Sequence, residues 1–201
     1  GRLPDGRRVD IEITDGLISA VRDSSAPPGD GAPVDELGGR LVLPALAEPH
    51  AHLDKALTAE MVPNPDGDLD GGHEAWTAAV RAGKFTHDGM VARAIEAIEL
   101  LLVHGVTAIR SHVNVGGDFG ARNVVALQEA KSHFKGLIDL QLVALTISPM
   151  TGPEGAGNRA ALADAIEAGV DLIGGAPNFD LDPAGFIRTV FDAATDAGIG
   201  V

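Results

Sequence analysis

A chain of 201 residues with 45% hydrophobic and 22% charged residues can build one domain with a sizeable core, which argues against disorder. Its formal net charge of −14 argues against a nucleic-acid surface, and the absence of cysteine removes disulfides, thiolate metal sites and a cysteine nucleophile. The polar N-terminal residues carry no signal-peptide core and no segment reaches the roughly 18 apolar residues that span a bilayer, so the default expectation is a cytoplasmic protein.

The first elements read as short strands. Val9, Ile11 and Ile13 alternate, Asp15-Gly16 follows, and a second apolar run goes from Leu17 to Val21, which predicts a β-hairpin. The stretch SSAPPGDGAP, 24–33, is a loop by composition, and VDELGGRLVLP returns to extended structure. Residues 62–75, VPNPDGDLDGGHEA, read as a polar loop or lid after the next strand. Thr86 is the predicted N-cap of a helix that His104-Gly105 closes. VTAIRSHVNV then predicts a strand ending near Ser111-His112. Helices over about Arg122–Phe134, Arg159–Ala168 and Pro183–Ala197 alternate with strands at 138–147 and 170–177, and GIGV begins another strand. Strands alternating with helices predict βαβ units and a parallel sheet. A doubly wound sheet and a (β/α)8 barrel both begin this way. The barrel is favoured because ionisable residues gather after the strand ends and no glycine-rich fingerprint follows the first strand.

The chemistry concentrates in LVLPALAEPHAHLDKALTAE, residues 41–60. In a strand, positions i and i+2 share a face, so His50 and His52 set two imidazoles side by side. Neutral imidazole suits zinc and iron(II), and a metal that acidifies its bound water gives a hydroxide nucleophile near neutral pH. Two solvent-facing histidines on a strand end satisfy the same pattern. The apolar run before the pair, and its place at the head of the βα series, favour the metal.

At this point the sequence resembles a family. GGRLVLPALAEPHAHLDKAL is similar to the first barrel strand of the amidohydrolase superfamily, in its cytosine-deaminase-like branch. The resemblance continues through THDGM, GVTAIRSHVNV, IDLQLVAL and GVDLIGGAPNFD, in order along essentially the whole chain. It implies an α/β fold, the N-terminal part of a (β/α)8 metal-dependent hydrolase barrel with a small flanking β-sandwich. Residues 1–45 would be the N-terminal share of the sandwich, and 46–201 the barrel's first four strands and the start of a fifth. It further implies a hydrolytic deaminase or aminohydrolase that attacks a small nitrogen heterocycle through a metal-activated hydroxide, with one divalent ion, zinc or iron(II). VDLIGGAP and LQLVALTI lack the lysine that bridges two-metal sites, so a single ion is expected.

By the same resemblance His50 and His52 are metal ligands, and Asp54 orients their loop by hydrogen bonding. His112 contacts substrate or braces a ligand through its ring, with a structural strand-end histidine as the alternative. Leu69 and Trp76 fall where the family packs residues over its substrate, and core packing suits both equally; Lys55 reads as a surface ion-pair residue. Ile147 stands where cytosine deaminases place a glutamine against the pyrimidine's amide edge, and Asn178 where histidine is frequent; both argue against plain cytosine, since an unpaired buried group costs about 1–3 kcal/mol. Asn114 replaces the family's acid. His73, His87, His104 and His133 are assigned no function.

No catalytic residue is expected within the chain. The resemblance places a third metal histidine and a catalytic glutamate on and after the fifth strand, then a histidine and an aspartate on later strands, all after Val201. The chain is therefore expected to be the N-terminal part of a longer enzyme. Two alternatives remain open: an amidohydrolase that cleaves a cyclic amide or an N-alkylamino group, and an inactive half-barrel that needs a partner chain. The implied partners are a small heterocyclic substrate, no nucleic acid and no membrane, and a homo-oligomer is compatible.

Overall fold

The computed structural model describes residues 1–24 and 33–201, so most of the loop predicted at 24–33 lies outside the described residues. The chain divides into two units, Gly1–Ala45 and Leu46–Val201.

In the first unit β1 (Val9–Thr14) and β2 (Leu17–Asp23) pair antiparallel. Asp15 and Gly16, with φ of 53° and 76°, form the tight connection. Two successive positive φ values suit the right-handed twist of a hairpin, and aspartate followed by glycine tolerates them best.

The second unit holds a parallel sheet of β3 (Leu46–Ala51), β4 (Val106–Val115), β5 (Asp139–Thr146) and β6 (Leu172–Gly175). Its order is β3-β4-β5-β6. The order advances in one direction and never doubles back, unlike a doubly wound sheet. The expected next strand begins as a parallel bridge between Leu172 and Gly200. Five helices accompany the strands: α1 (Leu69–Arg81), α2 (His87–Val103), α3 (Arg122–His133), α4 (Ala156–Glu167) and α5 (Pro183–Ala197). Thr86 caps α2 through Gly89 N, as its sequence position predicts.

Strand alternation sorts the sheet into two faces. Ile109, Val113 and Val115 of β4 and Leu140, Leu142 and Ala144 of β5 enter one core with Ile98 of α2, Leu127 of α3, Leu162 of α4 and Phe186 of α5. The opposite face carries Arg110, His112 and Asn114 of β4 with Gln141 and Leu145 of β5, all half-buried or exposed.

Three expectations are corrected. The loop predicted at 62–75 contains the start of α1, whose N-cap Asp68 accepts a 2.7 Å hydrogen bond from Gly71 N. The glycine pair Gly71-Gly72 masks the helix by lowering local propensity, while the capping aspartate is the signal that marks it. β4 runs to Val115, because its full ladder with β5 continues through Val115–Thr146, so His112 lies inside the strand instead of at its end. The third predicted helix starts at Ala156, ahead of the expected Arg159.

Candidate metal centre

β3 ends irregularly, and its sequence explains why. Pro49 has no N–H to give a ladder, and the His50 amide is taken instead by the Glu48 carboxylate at 2.9 Å. Pairing with β4 shifts between Glu48 and Ala51, then resumes at Ala51–Ser111. This delivers His50 and His52 to the C-terminal end of the parallel strands, beside His112 of β4.

The three imidazoles form a cluster. Ring centroids of His50 and His52 lie 5.2 Å apart, those of His50 and His112 lie 4.2 Å apart and stacked, and those of His52 and His112 are separated by 5.9 Å. His52 Nδ1 lies 2.9 Å from the His112 carbonyl oxygen. A carbonyl only accepts, so this nitrogen carries the proton and Nε2 is left with a free lone pair. His112 therefore braces His52 through its backbone, whereas the sequence pointed to its ring. The buried Nδ1 of His112 has no hydrogen-bond partner among the described residues.

Burial, and then the Lys55 charge, hold His52 below the ordinary histidine pKa; burial, and then His50, do the same to His112. Both shifts favour the neutral ring, the form that binds metal. Asp54 follows His52 and is fully buried; desolvation pushes its carboxyl above the usual range. Asp54 Oδ2 accepts from Asn114 N at 3.1 Å and Asn123 Nδ2 at 3.3 Å. The Leu53 amide donates to Ser111 Oγ at 3.0 Å.

The other predicted residues fall as follows. Ile147 follows β5, with its amide donating to Val115 O at 3.0 Å, at the same end of the sheet as the imidazoles. Leu69 stands 80% exposed on the first turn of α1. Trp76 is only 7% exposed and packs on Phe85 at 4.1 Å, in a core shared by α1, α2 and α3. Lys55 makes no ion pair among the described residues; its Nζ donates to Asn114 Oδ1 at 3.2 Å and lies 5.8 Å from the Trp76 ring. Asn178 sits in a short turn, Pro177–Phe179, after β6. His104 closes α2 with Nδ1 2.6 Å from Leu100 O, and His87 meets Glu129 at 2.8 Å.

A divalent ion fits these residues in part. Two imidazoles beside one another, one with its outer nitrogen freed by a carbonyl, are a suitable donor set. Among the described residues, no group of three or more His, Asp or Glu is arranged to hold an ion. No helix among the described residues is long and apolar enough to cross a membrane.

No family model matches the chain. It is 30% identical to 5-methylcytosine deaminase of Klebsiella pneumoniae, whose solved structure it matches with a TM-score of 0.80 over 98% of this chain and 48% of that one. It matches N-isopropylammelide isopropylaminohydrolase of Burkholderia multivorans at 29% identity and a TM-score of 0.74, over 94% of this chain and 47% of that one. Among curated proteins, it is 29% identical to pterin deaminase of Rhizobium rhizogenes, over 69% of this chain and 31% of that protein. It is also 28% identical to the uncharacterised protein YahJ of Escherichia coli, over 96% of this chain and 42% of that protein. Apart from YahJ, these homologues are thus deaminases and aminohydrolases of heterocyclic compounds. These deaminases and aminohydrolases belong to the amidohydrolase superfamily, as the sequence resemblance implies, and the chain spans less than half the length of the relatives it matches here.

Proposed function

We propose that residues 46–201 are the first half of a (β/α)8 amidohydrolase barrel, with 1–45 as part of a flanking β-sandwich, and that the enzyme is a metal-dependent hydrolytic deaminase of a small nitrogen heterocycle. The observation that carries this reading is the His50–His52–His112 cluster at the C-terminal end of a one-way parallel sheet, where barrel enzymes hold their sites. The half-buried second face of the sheet, which bears His112 and Asn114, supports it as the inward face of such a barrel.

In this reading His50 and His52 hold one divalent ion, zinc or iron(II). When bound, the ion supplies a water acidified toward roughly neutral pKa. The chain's own residues do the rest of what is assigned to it. The His112 carbonyl fixes the tautomer of His52 and leaves its Nε2 lone pair free, the atom that would hold the ion. Asp54 holds the ligand loop from beneath through Asn114 N. Ile147 offers the substrate an apolar wall that cannot donate or accept, which disfavours plain cytosine and favours a ring without a polar edge there. Leu69 would contribute from the exposed head of α1. No residue of this chain is assigned proton transfer to the departing amine.

A second reading, release of an alkylamine, is favoured by the similarity to N-isopropylammelide isopropylaminohydrolases. The test is metal analysis of the protein at its natural length, followed by a panel of amino- and alkylamino-heterocycles scored for ammonia, alkylamine and ring-opened product. About one ion per chain, lost on the double substitution His50→Ala and His52→Ala, together with ammonia release, is the expected result. Alkylamine as the product would favour the second reading. A protein with no ion and no turnover would refute both, and leave an inactive half-barrel.

A further inference from the structure

Immediately after His52 the chain enters a polar clasp that crosses the apolar core. The Leu53 amide donates to Ser111 Oγ at 3.0 Å, the Asn114 amide to Asp54 Oδ2 at 3.1 Å, and Asn123 Nδ2 to the same Asp54 oxygen at 3.3 Å. Ser111, Asp54 and Asn123 are each fully buried. Asn123 belongs to α3, on the helical layer, and its neighbours Val124 and Leu127 are fully buried apolar residues.

Asp54 Oδ1 and Asn123 Oδ1 are buried without a partner among the described residues, so the two bonds to Asp54 Oδ2 alone offset the cost of burial and fix the direction in which the carboxyl turns. The Asn114 amide is held in the β4 strand, so its bond to Asp54, with the Ser111 bond, pins the two residues that follow His52. A ligand imidazole is useful only if held within about half an ångström of its working position, and groups behind the ligands do that holding.

The geometry points to Asn123 and Ser111 as positioning residues of the metal centre, acting on His52 through Asp54 and the Leu53 amide. This rests on the reading of His50 and His52 as ligands. Neither residue touches the ion or the substrate. Asn123 reaches the site from a helix about seventy residues further along the chain, bound to β4 and β5 by the same core that buries it.

The test is titration of the metal-depleted protein, at its natural length, with Co(II), reading both affinity and the ligand-field spectrum below every variant's melting temperature. Asn123→Ala and Ser111→Ala are each expected to weaken Co(II) binding about 10- to 100-fold and to change the spectrum. Leu127→Ala, one turn along α3 and fully buried, is expected to lower the melting temperature while leaving affinity within about twofold. Loss of binding equal to that of Asn123→Ala in the Leu127 variant would reduce the effect to general destabilisation and overturn the inference. Wild-type affinity and spectrum in both polar variants, with binding abolished by His52→Ala, would overturn it while leaving the metal reading intact. Co(II) binding that survives His50→Ala and His52→Ala together, or is absent from the wild type, would remove both. If Asn123→Ala does not fold, Ser111→Ala decides, since it deletes a single oxygen.

Discussion

Asp180 shows how one side chain ties the strand-end loops together. Its Oδ2 accepts from Met150 N at 2.9 Å and its Oδ1 from Asp182 N at 3.0 Å, so the loop after β5 is tied to the loop after β6. The Asp182 amide, and then the Met150 amide, hold its carboxyl below the ordinary value of 3.8. A carboxyl depressed in the folded state adds stability above its unfolded pKa and loses it as pH falls through the folded one. Asp180→Asn is therefore expected to melt lower than wild type at pH 7, with the gap closing below about pH 4. Thermal melts at both pH values check this, and a gap that does not change with pH would contradict it. The histidine pair is readable in the sequence because a period of two is a local rule. The brace on His52 is not readable, because its acceptor is a backbone carbonyl 60 residues away, and a backbone oxygen leaves no mark in the residue type. Asn123 is hidden for a related reason: its value comes entirely from a partner that the fold brings to it.

Among the elements, α1 is the one that local reasoning missed. It begins at an exposed cap, runs through two glycines and buries Trp76, so tertiary packing supplies the stability that propensity withholds. Asp68→Ala removes the cap and should cost about 1 kcal/mol. The chain has a single tryptophan, and it lies on this helix, so its fluorescence reports the packing of α1 against α2 and α3. The expected outcome is a tryptophan transition that moves to lower denaturant and precedes the loss of far-UV circular dichroism. An unmoved transition would show that Trp76 packing holds α1 without its cap. The helices with clear caps or clean stops, α2 at Thr86 and α5 at Asp182-Pro183 and Gly198, follow their sequence signals closely.

The chain as a unit carries −14 formal charges together with large exposed apolar side chains, among them Phe179 at 73% and Val103 at 75% exposure. Mutual repulsion opposes the association that such side chains favour, and salt weakens it as the screening length falls from about 30 Å at 0.01 M to about 3 Å at 1 M. Residues 1–201 expressed alone should gain apparent mass in sedimentation as salt rises, and a mass independent of salt would count against this balance. The class of architecture was readable from the alternation of strand and helix; the choice between a one-way and a reversing sheet was not readable from that alternation, which both orders share, and came from where the ionisable residues fall, the missing glycine-rich fingerprint and the family resemblance. The one-way order also bears on how the protein is made. Once β4 has left the ribosome, β5 follows after about thirty residues and β6 after a similar interval, a few seconds of synthesis each, and each finds its neighbour already in place. A sheet whose spatial order is its order of birth can be laid down strand by strand, without waiting for a partner not yet translated.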